Sequence, residues 1–477
     1  MDSEPPPELP TSQPLYLAER VTVPIHVLPD DILLGIFDQY RGNNKYFTPK
    51  MLKPLVHVCR RWRDIIFASP RGLHLRLVCD SDVRTPVKEL LDVWPAWPII
   101  VRYSPGNKEG EGNVIAALEH HHHISRIAFR GLTSRVLGRF TAMMQEPFPT
   151  LTDLHLRSVD ETRCVIPDAF LGRSAPQLQI FLLDGIAFPA LPGLLASAIH
   201  LTKLRLEKIP DSGYIPPDVM ATCLSVFLKL DELAITFQSP RPSPSQTPPP
   251  LTHAVLPALT YFRFGGDTRY LEDLISRIRA PNLDYLNIWF FMSPVVAVPQ
   301  LCNFINGAEG LKELQRAYVV LDPWSVRLSL GPPTSLDLVT RCDRLDERVS
   351  WIVKLCDALS HLLGNVRCLE IHGGADSPSE PQGGVEPSQW LQLFRPFATV
   401  QGLYVTKKLG PLVAHALQEF TWERGTEVLP ALRCLLLGGF DQYESVMKVM
   451  EPFIAARRLS DHPVVVENWE QDPYQEF

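Results

Sequence analysis

The chain contains no Gly-x-x-x-x-Gly-Lys-Ser/Thr phosphate loop, no His-Glu-x-x-His and no Gly-x-Gly-x-x-Gly, so three sequence marks of nucleotide and zinc-hydrolase chemistry are missing. Gly172-Arg173-Ser174-Ala175 starts like a nucleophile elbow but continues with Pro176 where glycine is needed. Glu109-Gly110-Glu111-Gly112 is a short glycine-rich turn rather than a phosphate loop. The nine cysteines include no CxxC pair, and Cys59, Cys79, Cys368 and Cys434 lie inside apolar runs. That usage predicts reduced cysteines in the cytoplasm or nucleus, not a disulfide frame. No stretch approaches 18 uninterrupted apolar residues, so no membrane-spanning helix is expected. The opening MDSEPPPELPTSQP, acidic and proline-rich, is the opposite of a secretory signal. Positive charge is not in excess either: 46 Lys and Arg against 53 Asp and Glu give −7, which speaks against a nucleic-acid partner.

What is present is enough apolar sequence to fold. Of 477 residues 45% are hydrophobic and 21% charged, near the globular average, and the length calls for more than one module or an elongated repeat. Forty-five prolines are unusually many. Some fall in a tail, residues 1–22, and in two loops, 239–250 and 373–387, which read as disordered. Others precede a recurring motif, apolar-x-x-apolar-x-apolar, by two residues.

The motif starts at Ile124, Leu151, Leu178, Leu201, Leu230, Leu259 and Leu283, 23 to 29 residues apart, and again at Val366, Val400 and Leu432. Leu314 heads a weaker copy within the gap. The period is that of leucine-rich repeats. The last two apolar positions alternate and so share one face of a short strand, while intervening segments such as 271–278 and 351–359 carry a helical pattern. One unit cannot bury its apolar face, whereas stacked units share a core. The expected fold class is α/β: a small all-α module over 23–75, then an irregular leucine-rich-repeat-like α/β solenoid, or horseshoe, over 76–477. The copies lack the asparagine of regular repeats, hence the irregularity. An ordinary α/β domain with look-alike strands is the competing reading, and the near-constant period weighs against it.

In the N-terminal module, Pro29, Asp30 and Asp31 suit a helix start. Ile32, Ile36 and Tyr40 then form one stripe, with Leu33 and Phe37 beside it. A second helix is expected from Pro54 to Phe67, with Leu55, Val58, Cys59, Trp62, Ile65 and Ile66 on its apolar face. Two helices this short need a partner for their stripes, either the repeats or another protein. Leu28-Pro29-Asp30-Asp31-Ile32-Leu33-x-x-Ile36-Phe37 followed by Val58-Cys59-Arg60-x-Trp62-Arg63-Asp64-Ile65 resembles the F-box signature. F-box followed by irregular leucine-rich units is a layout similar to that of F-box proteins of mushroom-forming fungi. The resemblance implies a substrate-recognition subunit of an SCF-type ubiquitin ligase. Such a subunit binds the S-phase-kinase-associated adaptor, and through it cullin, and brings in an unidentified target protein. It further implies Leu28, Pro29, Ile32, Leu33, Ile36, Phe37, Leu55, Val58, Cys59 and Trp62 as the adaptor-facing residues. The stretch 41–52 departs from the family's compact middle helix, and so does Pro70, which leads to Leu73-His74 without a following tryptophan.

No catalytic residue, metal or cofactor is expected. His120–His123 cannot all reach one ion, since consecutive helical residues diverge, and they read as a solvated helix end before the strand at Ile124. The working surface is expected on the outward strand positions. Arg157, Arg205, Tyr261, Arg263, Tyr285, Trp289 and Tyr404 are the candidates for target contact, because arginine and aromatic side chains suit a protein ligand. A leucine-rich scaffold binding partners outside the ligase is the alternative; an enzyme on an α/β scaffold finds no residues to support it.

Overall fold

Each of the ten strong motif copies opens on a turn. The backbone N–H of Leu151, Leu178, Leu259, Leu283 and Leu432 donates to the carbonyl three residues earlier, at 3.0 to 3.4 Å. Pro149, Pro176, Pro257, Pro281 and Pro430 fill the second position of those turns, where a fixed φ is pre-set for the bend. The recurrent proline thus reverses the chain, and the leucine behind it enters the core.

The computed structural model describes residues 25–42, 49–69, 73, 75–80, 88–89, 91, 97–106, 108–160, 164–240, 253–291, 298–312, 314–331, 335–373, 385–406, 409–419, 428–438 and 443–469. The tail expected at 1–22 and most of the loops expected at 239–250 and 373–387 lie outside them. The chain divides into two units, Met1–Leu77 and Val78–Phe477.

The first unit holds helices α1 (Asp30–Arg41), α2 (Pro49–Val56) and α3 (Arg60–Ala68). The single helix expected over Pro54–Phe67 is therefore two. Pro49, not Pro54, takes the first helical position, and Pro54 falls in the last turn of α2. A break at 57–59, with Cys59 extended at φ −160° and ψ 170°, separates the two. It lets Leu52, Leu55 and Val56 on one side and Trp62, Ile65 and Ile66 on the other both face inward. Residues 49–52, the end of the stretch 41–52 that departs from the family pattern, are thus the first half of a middle helix.

The second unit is built from strands β1 (Leu77–Asp80), β2 (Ile99–Tyr103), β3 (Ile124–Leu132), β4 (Asp153–Ser158), β5 (Ile180–Asp184) and β6 (Lys203–Ile209). Next come β7 (Glu232–Phe237), β8 (Ala254–Val255), β9 (Tyr261–Gly266), β10 (Ile278–Arg279), β11 (Tyr285–Phe290) and β12 (Arg316–Asp322). Last are β13 (Ser325–Leu330), β14 (Ser335–Arg341), β15 (Cys368–Gly373), β16 (Gly402–Thr406), β17 (Cys434–Gly438) and β18 (Val465–Trp469). All ten strong motif copies are strands. Among the described residues one sixteen-stranded open sheet runs β1 to β7, then β9-β11-β14-β13-β12-β15-β16-β17-β18, while β8 and β10 pair separately.

Register explains the spacing. Leu154, Phe181, Leu204, Leu233, Phe262 and Leu286 stand side by side across six parallel strands, as do Leu156, Leu183, Leu206, Ile235, Phe264 and Ile288. All twelve are buried, each contributing about 1.5–3 kcal/mol of apolar burial. Helices between the strands cover this face; Thr268–Ile275, capped by the Asp267 side chain accepting from Arg269 N–H at 2.9 Å, buries Tyr270, Leu271, Leu274 and Ile275.

The gap in the repeat is not filled by one weak copy alone. The copy headed by Leu314 is β12, which runs antiparallel to β13, which in turn runs antiparallel to β14. β14 pairs parallel with β11, and β12 pairs parallel with β15. Asp322 faces Ser325 across a two-residue connection made by Pro323 and Trp324. A meander is thus set into the parallel sheet without interrupting it.

Candidate interaction surfaces

In the helical unit the apolar residues sort onto two adjacent stripes of α1. Leu33 and Phe37 are fully buried, while Ile32, Ile36 and Tyr40 are 48%, 39% and 53% exposed. Phe37 and Trp62 pack edge to face, and Leu52, Leu55, Val56, Ile65 and Ile66 close the interior around them. Arg61 of α3 reaches to the start of α1, donating from Nη2 to the Leu28 carbonyl at 2.7 Å and to Asp30 Oδ1 at 2.5 Å. Arg63 donates from Nε to the Val56 carbonyl at 3.1 Å, holding α2 against α3.

The ten residues implied as adaptor-facing therefore divide. Pro29, Ile32, Ile36, Val58 and Cys59 are exposed and Leu28 is half-buried. Leu33, Phe37, Leu55 and Trp62 lie in the interior, where they shape the surface from beneath rather than present themselves on it. Tyr40 joins the exposed stripe; its i+4 spacing from Ile36 was the signal for it.

The other surface is the face of the sheet opposite the buried ladders. Arg157, Arg205, Tyr261, Arg263, Tyr285, Trp289 and Tyr404 all occupy outward strand positions, and none is buried. Their carboxylate neighbours are sunk: Asp153, Asp184 and Glu232 are 5–7% exposed. Arg126 pairs with Asp153. Arg157 reaches Asp184 at 3.0 Å, and Glu232 holds both Lys203, at 3.0 Å, and Arg205. The acids lie low and the longer bases fold over them, with their methylenes covering the sheet.

Sequence reading missed Arg102, Arg126 and Arg130 on this face. Arg126 could have been found, since it stands directly before the second apolar position of its copy. Arg102 could not, because β2 reads Ile99-Ile100-Val101-Arg102-Tyr103 and does not match the motif. His155 sits among these cations. Burial lowers its pKa below the ordinary imidazole value, opposed by Asp153 and reinforced by Arg126, Arg130 and Arg205.

Towards β14 the face turns aromatic. Tyr261 and Tyr285 stack with centroids 4.7 Å apart and planes 3° apart, and Tyr285 Oη donates to Asp337 at 3.1 Å. Arg341 lies 5.8 Å over the Trp289 ring. Beyond the meander, His372 and Glu370 are both buried, with Nε2 and Oε2 3.2 Å apart. Burial first, then Glu370, pushes the Cys368 thiol up to about 11, which favours the protonated thiol. His121–His123 form a short 3-10 turn before β3. Among the described residues no group of three His, Cys, Asp or Glu is arranged to hold a metal.

Residues 25–70 match the F-box-like family model, the span that holds α1, α2 and α3. No curated protein matches the sequence. Among solved structures the chain is similar to the leucine-rich repeat-containing protein LegL7 from Legionella pneumophila, at 12% identity over 82% of this chain and 99% of that one, with a TM-score of 0.28. The chain is thus a helical F-box-like segment followed by a parallel, open-sheet α/β repeat region, an arrangement suited to protein interaction.

Proposed function

We propose, from the F-box-like segment at residues 25–70, that this chain is a substrate receptor of an SCF-type ubiquitin ligase. It docks the S-phase-kinase-associated adaptor on α1 and the α2–α3 break, and it holds a target protein on the open face of its sheet. The observation that carries the reading is the exposed apolar stripe Ile32, Ile36 and Tyr40 lying over a fully packed interior within the matched span. Exposed side chains of this size gathered on one helix face support a protein contact. The receptor catalyses nothing; it raises the target's local concentration beside the ligase. It works in the cytoplasm or nucleus, through the adaptor to cullin.

Co-purification of the full chain with the adaptor tests this. Wild type should capture it, and Ile32→Asp with Ile36→Asp should abolish capture while leaving the melting temperature unchanged. Equal capture by both proteins sinks the docking assignment. Capture with no change in partner ubiquitination on removal of the chain sinks the ligase role and leaves the scaffold reading.

A further inference from the structure

On the reading that the sheet face takes a target, we propose that the open face of β2 to β9 binds an extended acidic segment of that target, laid across the strands along Arg102, Arg205 and Arg263. These three stand in one row: register runs Arg102, Ala128, His155, Leu182, Arg205, Ala234, Arg263 from β2 to β9. No carboxylate interrupts it. Alanines at two of the seven positions leave low ground between the cations.

Charge and depth reinforce each other here. Over these strands the outward residues include eight Lys or Arg (Arg102, Arg126, Arg130, Arg157, Lys203, Arg205, Lys208 and Arg263) against four carboxylates, Asp153, Asp184, Glu207 and Glu232. The chain as a whole is −7, so this face is opposite in sign to the molecule. Three of the four acids are buried beneath their partners while Arg157 and Lys208 are mostly exposed. A ligand therefore meets cations first. Arg102, Arg130 and Arg263 have no ion pair among the described residues, which leaves three guanidinium groups available for carboxylates.

The dimensions fit a peptide. Six strand steps at about 4.8 Å span about 29 Å, the reach of roughly nine extended residues at about 3.3 Å each. A single-stranded nucleic acid is disfavoured, because along the row the side chains between the cations are Ala128, His155, Leu182 and Ala234, and the two tyrosines at its end already stack on each other.

The test is fluorescence anisotropy on the full chain with a labelled peptide of about twelve residues alternating Glu and Ser, its Gln counterpart, and an oligouridine of equal length. The Glu peptide should bind, more weakly as salt rises. Arg102→Glu, Arg130→Glu and Arg263→Glu together should weaken it more than about tenfold. These arginines hold no ion pair among the described residues, so the variant should melt with wild type; if it does not, Arg102→Glu and Arg263→Glu tested singly give the same comparison. Equal binding of the Gln peptide, undiminished binding by the variants, or tighter binding of the oligouridine overturns the proposal. Adaptor capture measured on the same samples separates the two ideas. Peptide failure with capture intact removes the acidic segment alone, and failed capture removes the receptor reading alone.

Discussion

The Trp62 ring meets Phe37 edge to face, with centroids 4.8 Å apart and planes at 65°, and so pins α3 to α1 from inside. Both residues belong to the F-box-like signature, yet both are interior. Their role is to fix the angle at which α1 presents Ile32 and Ile36. Trp62→Ala should cost about 3–5 kcal/mol, enough to unfold so small a unit, and adaptor capture should fall with it. Limited proteolysis and circular dichroism decide the matter: an intact helical unit that has lost capture would make Trp62 a direct contact instead.

Arg61 ties the Leu28 carbonyl and Asp30 to α3, but the side chains of Arg61 and Asp30 are 40% and 64% exposed. Arg61→Ala should therefore cost no more than about 1 kcal/mol. Its effect should appear as faster amide exchange at Leu28, whose N–H bonds to the Ile25 carbonyl. A large loss of stability would show that the pair is more deeply shielded than its exposure indicates.

Two glycines predict opposite signs. Gly131 has φ +64°, and a Cβ there would meet Pro105 Cδ and Cγ at 2.6 Å; Gly131→Ala should destabilise by more than about 1 kcal/mol. Gly138 lies in the helix Ser134–Ala142 with nothing within 4 Å of its would-be Cβ. Gly138→Ala should stabilise by about 0.5–1 kcal/mol. Urea denaturation of the two variants against wild type reads both, and shifts of the same sign would contradict the backbone argument.

His155 gives a pH dependence. Its folded pKa is lowered from 6.5 by burial and the surrounding arginines, so the unfolded chain binds the proton more readily. Stability from this group is intact above pH 6.5 and is lost as pH falls through the unfolded value towards the lower folded one. His155→Gln should flatten that part of the profile. Thermal melts between pH 7.5 and pH 5 check it (both ends bracket the unfolded value), and a wild-type minus variant difference that stays constant would refute the assignment.

Much of the architecture was legible because its signals are local. A proline two residues before a leucine encodes a turn, and alternating apolar residues behind it encode a strand facing the core, whatever the rest of the chain does. The antiparallel meander escaped, since β13 and β14 alternate like any half-buried strand and nothing in a period-two pattern states the direction of pairing. The single helix expected over Pro54–Phe67 failed for a related reason. Leu55, Val58, Cys59, Trp62 and Ile66 satisfy a helical period, and the break at 57–59 is set by what α1 needs to bury.

The sequence by itself determined the F-box-like segment, the repeat and the inward ladders, because each depends on spacing within a few residues. Only the tertiary structure decided which stripe of α1 is interior and which is open, since two adjacent apolar stripes are equivalent until α2 and α3 cover one. It likewise decided that Asp153, Asp184 and Glu232 sink while Arg157 and Lys203 ride above them. That order arises between strands some 23 to 29 residues apart in the chain, where a short carboxylate and a long cation compete for the same depth over the sheet.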